Sequence, residues 1–177
     1  SANTVTRTIV VNTTPTVSVL SVSNPIICSN GSTVITPTAT PTGASTYTLN
    51  PGALIGTSFT VSPTSNTTYT LTGTSSAGCV SANSATTAIT VNTTPTVSIL
   101  SVSNSTICSG NSTVITPTAT PTGASTYTLN PGALTGTSFT VSPTSNTTYT
   151  ISGTSAVGCV SANTVTRTIV VNTTPTV

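Results

Sequence analysis

The chain has 177 residues, and its only charged side chains are Arg7 and Arg167, which give a formal net charge of +2. It contains no Asp, Glu, His, Lys, Met or Trp. General acid–base catalysis needs a histidine or a tuned carboxylate, and a Ser or Thr nucleophile needs a base to activate it. The composition therefore excludes an enzyme and predicts no cofactor.

The same composition excludes several kinds of partner. Nucleic-acid binding requires several basic side chains close together, and the two arginines are 160 residues apart in the chain. Calcium needs carboxylate oxygens, and the four cysteines have no CxxC spacing for zinc. No segment has the length and apolarity of a membrane span. We expect no nucleic acid, no metal site and no membrane insertion.

Apolar residues alternate with Thr and Ser at period two, which is typical of β-strands with one buried face. In chain order, the predicted strands of the first repeat cover residues 16–22, 32–39, 45–50, 57–62, 67–73 and 85–92. Gly- and Pro-containing turns at 41–44, 50–53, 62–66 and 76–79 separate most of these strands. Six or seven short strands in this pattern predict an antiparallel β-sandwich, with Tyr47, Phe59 and Tyr69 in its core.

The chain is an internal repeat with a period of 80 residues. Residues 17–96 and 97–176 are identical at 65 of 80 positions, and residues 1–17 recur without a change at 161–177. We therefore expect Ig-like repeats at 15–94 and 95–174, and the start of a further linker at 175–177. Residues 1–14 are predicted to be the last strand of a preceding repeat, or a strand donated to another copy. The short NTTPTV linkers predict a semi-rigid rod.

Each repeat has two cysteines at a spacing of 51 residues, Cys28 with Cys79 and Cys108 with Cys159. An 80-residue domain has a modest core and often needs a covalent link. We predict one disulfide within each repeat, against the alternative of free buried thiols. Disulfides place the protein outside the cell, on a cell surface or in a secreted filament.

Eight asparagines stand in N-x-[ST] sequons, the pattern of glycosylation acceptors, although such sequons also arise by chance in a chain rich in Asn, Ser and Thr. They are Asn12, Asn30, Asn66, Asn92, Asn104, Asn111, Asn146 and Asn172.

Several motifs resemble the tandem immunoglobulin-like repeats of secreted Bacteroidota surface proteins, including large adhesins. They are ICSGNS at 107–112, GASTYTLNPGAL at 123–134, VSPTSNTTYTISGTS at 141–155 and the GC pair at 158–159. The chain departs from that family at Leu49 and Leu129, where Trp is common, and at Ser75 and Ser155, where an acidic residue is common. The resemblance implies tandem immunoglobulin-like sandwiches and a role in extracellular display or adhesion.

Two functions fit these observations. The first is a structural filament or stalk that associates with identical or neighbouring repeats by strand addition at bare sheet edges. The second is an adhesin segment that binds glycan or another cell surface through its loops. Ice binding by the TxT patterns at 46–48 and 68–70 is a weaker third hypothesis, because a twisted sandwich provides no flat threonine array.

Overall fold

Regular structure in the described residues consists of β-strands, as expected from the many Thr, Val and Ile residues of the chain. The computed structural model describes residues 3–40, 43–120 and 123–173, with the backbone alone at 18–20, 39, 40, 99 and 120. Two compact units, residues 1–91 and 92–177, make up the chain.

Each unit contains eight strands among its described residues. Those of the first unit are β1 (Thr16–Val22), β2 (Ile26–Cys28), β3 (Thr33–Thr40), β4 (Thr46–Asn50), β5 (Leu54–Gly56), β6 (Phe59–Val61), β7 (Thr67–Thr74) and β8 (Ala85–Asn92). Those of the second are β9 (Thr96–Val102), β10 (Thr106–Cys108), β11 (Thr113–Thr120), β12 (Thr126–Asn130), β13 (Leu134–Gly136), β14 (Phe139–Val141), β15 (Thr147–Thr154) and β16 (Val165–Asn172).

The strands of each unit form two sheets. In the first unit a three-stranded sheet has the order β1-β3-β6, and a five-stranded sheet has the order β2-β8-β7-β4-β5. The second unit repeats this arrangement as β9-β11-β14 and β10-β16-β15-β12-β13. The last strand, β16, lies antiparallel to β15 and parallel to the short strand β10, with Cys108 opposite Asn172.

One apolar core lies between the two sheets of each unit. In the first unit Ile35 of the smaller sheet and Leu49 and Leu71 of the larger sheet are fully buried. The predicted core aromatics Tyr47, Phe59 and Tyr69 all belong to this core, so that prediction is confirmed. The alternation of Thr with these apolar residues leaves one face of each sheet wet, as in a β-sandwich.

The all-β sandwich prediction is confirmed, and the strands 16–22 and 85–92 have the predicted bounds. Two strands, β2 and β5, were not predicted because each has only three residues and shows no alternation. The predicted turn at 41–44 lies partly outside the described residues, and the predicted linker start at 175–177 lies wholly outside them. Along the described chain, no helix is long and apolar enough to cross a membrane.

Candidate assembly surface

The N-terminal segment 3–12 has no regular secondary structure and belongs to neither sheet of the first unit. Its apolar side chains are exposed: Val5 by 81%, Ile9 by 86%, Val10 by 76% and Val11 by 85%. A run of apolar side chains this exposed is uncommon on a soluble domain.

The same ten residues occur again in the second unit, where they form strand β16 and the residues leading into it. There Ile169, the counterpart of Ile9, is fully buried. Val165 and Val171, the counterparts of Val5 and Val11, pack against the same core. An identical sequence is thus buried as a last strand in one place and exposed in the other.

The cysteines do not pair as the sequence analysis predicted. Cys79 and Cys108 are free thiols, whereas Cys28 and Cys159 are each disulfide-bonded. The predicted disulfides Cys28–Cys79 and Cys108–Cys159 are therefore wrong.

The position of the cysteines in the sheet explains this. Cys108 ends β10 and lies opposite Asn172, where β16 ends. Cys159 follows β15, next to the bridge between Thr154 and Val160, near the end of the sheet where β16 begins. At about 3.3 Å per residue, the length of β16 separates the two ends by about 23 Å. A disulfide requires Cα atoms within about 7 Å, so the two cysteines of one repeat cannot reach each other.

The loop that precedes Cys79 meets the end of segment 3–12. The Sγ atom of Cys79 lies 4.0 Å from the backbone oxygen of Asn12. The loop is held by Ser75, whose backbone N–H donates to the oxygen of Cys79 at 2.9 Å and whose Oγ accepts from the Cys79 N–H at 3.2 Å. Segment 3–12 therefore ends beside this thiol.

An open depression of about 170 Å³ lies at the same place, between residues 12–13 of the linker and residues 75–77 of the loop, with Gly43 at its edge. The second unit has an equivalent depression of about 210 Å³ lined by Asn92, Thr93, Gly123, Ser155, Ala156 and Val157. Apart from Val157, both are lined by small or polar residues, and neither lining includes an aromatic or charged side chain.

The sequon asparagines are mostly accessible. Seven are exposed, at positions 12, 30, 66, 104, 111, 146 and 172, and Asn92 is half-buried. Two of them also have a structural role, because the Oδ1 atoms of Asn66 and Asn146 accept hydrogen bonds from the backbone N–H groups of Val91 and Val171 at 2.7 and 2.8 Å. Their modification by glycan stays a prediction.

Ionisable groups form no cluster in the described parts of the chain. No group of three or more His, Cys, Asp or Glu side chains that could hold a metal occurs there. Arg7 and Arg167 are both exposed to solvent. Burial raises the pKa of the Tyr69 and Tyr149 phenols above the ordinary 10.0.

No protein-family model and no curated protein matches this chain. Among solved structures it is similar to a C-terminal 282-residue fragment of intimin, solved with the intimin-binding domain of its translocated receptor. The identity is 13% and the TM-score 0.50, over 88% of this chain and 64% of that one. This likeness shows the fold, a series of immunoglobulin-like sandwiches.

Two further structures are similar over most of the chain. A Ca²⁺-stabilised, ice-binding adhesin of an Antarctic bacterium has 18% identity and a TM-score of 0.48 over 93% of this chain. This chain spans only 50% of that adhesin structure. The fibronectin(III)-like modules of Clostridium thermocellum CbhA have 13% identity and a TM-score of 0.47, over 88% of this chain and 95% of that one.

Proposed function

We propose that this chain is a structural segment of an extracellular filament or cell-surface stalk, built from immunoglobulin-like repeats in series. By replacing the identical residues 163–172 of another copy, segment 3–12 forms the last strand of that copy's second repeat. This proposal rests on one observation: the same sequence is exposed at residues 3–12 and forms strand β16, with Ile169 buried, in the second unit.

The inward-facing side chains of that strand would stabilise segment 3–12 in the last-strand position. In β16 the fully buried residue is Ile169, with Val165 and Val171 packed beside it. Burial of an exposed Val or Ile side chain stabilises by about 1.5–3 kcal/mol. Together with the hydrogen bonds of a strand to its neighbour, these three side chains stabilise residues 3–12 in the last-strand position of another copy as they stabilise the identical residues 163–172 there.

The rest of the surface is compatible with close association. Two arginines are the only charges on 177 residues, so neighbouring molecules repel each other very little. The sheets also have bare edges at β1, β6, β2 and β5. On edge strand β5, Ile55 is 74% exposed. Strand addition at such an edge would allow lateral contacts in addition to the end-to-end one.

An extracellular location is part of the proposal. Two of the four cysteines are disulfide-bonded, and disulfides persist in oxidising compartments. The resemblance to secreted Bacteroidota surface repeats points to the same location.

The alternation of the strand provides a direct test in the full chain. Ile9→Asn places a polar group where Ile169 is buried, whereas Val10→Asn alters a position whose counterpart, Val170, is 39% exposed. Both variants leave the two sandwiches unchanged. We expect Ile9→Asn to lose high-molecular-weight assemblies in sedimentation velocity and Val10→Asn to keep them. Assemblies of wild-type size from Ile9→Asn would contradict the proposal.

The alternative function is an adhesin segment that binds glycan or another cell surface. The depressions at loops 75–77 and 155–157 favour it to a limited degree, because hydroxyl, amide and backbone groups there can hydrogen-bond to sugar hydroxyls. Their linings contain no aromatic ring for a sugar to stack on. A glycan array probed with the full chain tests this function, and saturable binding that Ser75→Ala and Ser155→Ala abolish would support it over a purely structural role.

A further inference from the structure

The four cysteines occupy two kinds of position. At each kind of position, one cysteine is disulfide-bonded and the other is a free thiol. The early cysteines, Cys28 and Cys108, end the short strand beside the last strand of their repeat. The late cysteines, Cys79 and Cys159, follow the strand that precedes it. Cys28 and Cys159 are disulfide-bonded, and Cys79 and Cys108 are free. One early and one late thiol are therefore left without a disulfide.

The neighbours of each free thiol within one copy indicate what would lie beside it in an array. Cys108 lies opposite Asn172, the last residue of β16. Asn12 is the copy of Asn172 in segment 3–12, and its backbone oxygen lies 4.0 Å from Cys79 Sγ. When segment 3–12 is the last strand of a neighbouring repeat, the early cysteine of that repeat lies beside Asn12. Because neighbouring strands are about 4.8 Å apart, this early cysteine comes within reach of Cys79.

We propose that Cys108 of one copy and Cys79 of the next form an interchain disulfide, which links the repeats of the filament covalently from end to end. This inference rests on the proposed function, since it uses the same placement of segment 3–12. Residues 1–17 and 161–177 are identical, so segment 3–12 of the next copy can replace residues 163–172 in the last-strand position at the junction.

The reaction is a two-electron oxidation. The two thiols lose two protons and two electrons, and an S–S bond forms between the sulfurs. A small disulfide oxidant such as oxidised glutathione accepts the electrons through thiol–disulfide exchange and leaves as two thiol molecules. Both thiols are accessible to it, because Cys108 is exposed and Cys79 is half-buried.

The test uses the full chain and its variants Cys79→Ser and Cys108→Ser, each incubated with oxidised and reduced glutathione and analysed by non-reducing electrophoresis. In a denaturing gel we expect wild-type chains to give a ladder of covalent oligomers and each variant alone to run as a monomer. An equimolar mixture of the two variants should give dimers and nothing larger, and mass spectrometry should find the Cys79–Cys108 bond in them. Absence of a wild-type ladder, or homodimers of one variant as abundant as the mixed dimers, would overturn the proposal.

Assembly is measured separately so that the two proposals can fail independently. The double variant Cys79→Ser, Cys108→Ser keeps segment 3–12 intact. We expect it to form noncovalent assemblies in sedimentation velocity that dissociate in detergent without reductant, whereas oxidised wild-type assemblies persist in detergent. Wild-type assemblies that dissociate equally would overturn the covalent link and leave the structural role intact.

Discussion

Asn163 binds both backbone polar groups of Val97, and in this way it attaches the residues before the last strand to the first strand of the same repeat. The Val97 N–H donates to Asn163 Oδ1 at 2.9 Å, and Asn163 Nδ2 donates to the Val97 oxygen at 2.7 Å. Asn83 binds Val17 in the same manner, at 3.0 and 2.6 Å. Each repeat therefore uses one side chain to connect its two sheets at the point where the sandwich closes.

Substitution of Asn163 by Ala leaves a backbone N–H and a backbone oxygen of Val97, a residue 1% exposed, without these partners. We expect the free energy of unfolding of the second repeat to fall by about 1–3 kcal/mol, the cost of unsatisfied buried polar groups. Urea denaturation followed by tyrosine fluorescence measures the change. Asn111→Ala, at an exposed position, is the control, and an equal effect of the two substitutions would contradict the role of Asn163.

Gly153 lets the larger sheet approach the first strand of its repeat. A Cβ atom at this position would lie 2.8 Å from Ala124 Cβ and 3.3 Å from Val97 Cγ2. We expect Gly153→Ala to destabilise the second repeat by about 1–3 kcal/mol through overpacking, measured as a lower urea midpoint. At Gly123 a Cβ atom would meet nothing within 4 Å, so Gly123→Ala should leave the midpoint unchanged. Equal midpoints for both variants would show that the sheets can separate freely here.

The dependence of stability on pH should be confined to the alkaline side. Burial raises the pKa of Tyr69 and Tyr149 above 10.0, the value of an exposed phenol. As pH rises the unfolded chain loses these protons first, so the stability present below about pH 10 is lost as pH increases through the folded pKa values. With no Asp, Glu or His, the chain has no side-chain carboxyl or imidazole whose titration could destabilise it in acid.

Denaturation in urea at pH 3, 7 and 11 tests both halves of this prediction. We expect equal free energies of unfolding at pH 3 and 7 and a lower value at pH 11. The double variant Tyr69→Phe, Tyr149→Phe should lose less stability between pH 7 and 11 than the wild type. Unfolding between pH 7 and 3, or an alkaline loss of the same size in the Phe variant, would contradict the assignment.

Calcium should have no effect on the stability of this chain. This chain has no carboxylate side chain, and calcium sites are built mainly from carboxylate and carbonyl oxygens. We expect the melting temperature to stay the same in a millimolar excess of calcium and after dialysis against EDTA. A rise of several degrees with calcium would reveal a site made of backbone and amide oxygens alone.

Much of the sandwich follows from the sequence because its longer strands alternate clearly. The strand at 67–73, with Tyr69 and Leu71 on one face, is strand β7 in the structure, one residue longer than predicted. Such alternation gives a one-residue register error a high cost, since it would turn the buried face to solvent. Strand β2 lacks this signal, because its three residues include an exposed Ile26, a buried Ile27 and Cys28 at the end.

The disulfide pairing could not be read from the sequence, and the reason is topological. The spacing of 51 residues between Cys28 and Cys79 is the same in both repeats, so it gives the number of cysteines per repeat and nothing about where they lie. Their places at opposite ends of the sheet depend on strand β2, which pairs beside β8 at the edge. Because β2 was not predicted, the separation of the two thiols was not predicted either.

Electron cryo-microscopy of the assembled protein would show whether segment 3–12 forms the last strand of a repeat in another copy. We expect a continuous filament in which residues 3–12 lie in a sheet, with Ile9 buried as Ile169 is in β16 and Asn12 beside an early cysteine. Separate rods in which residues 3–12 extend into solvent, with no repeat completed by them, would contradict it.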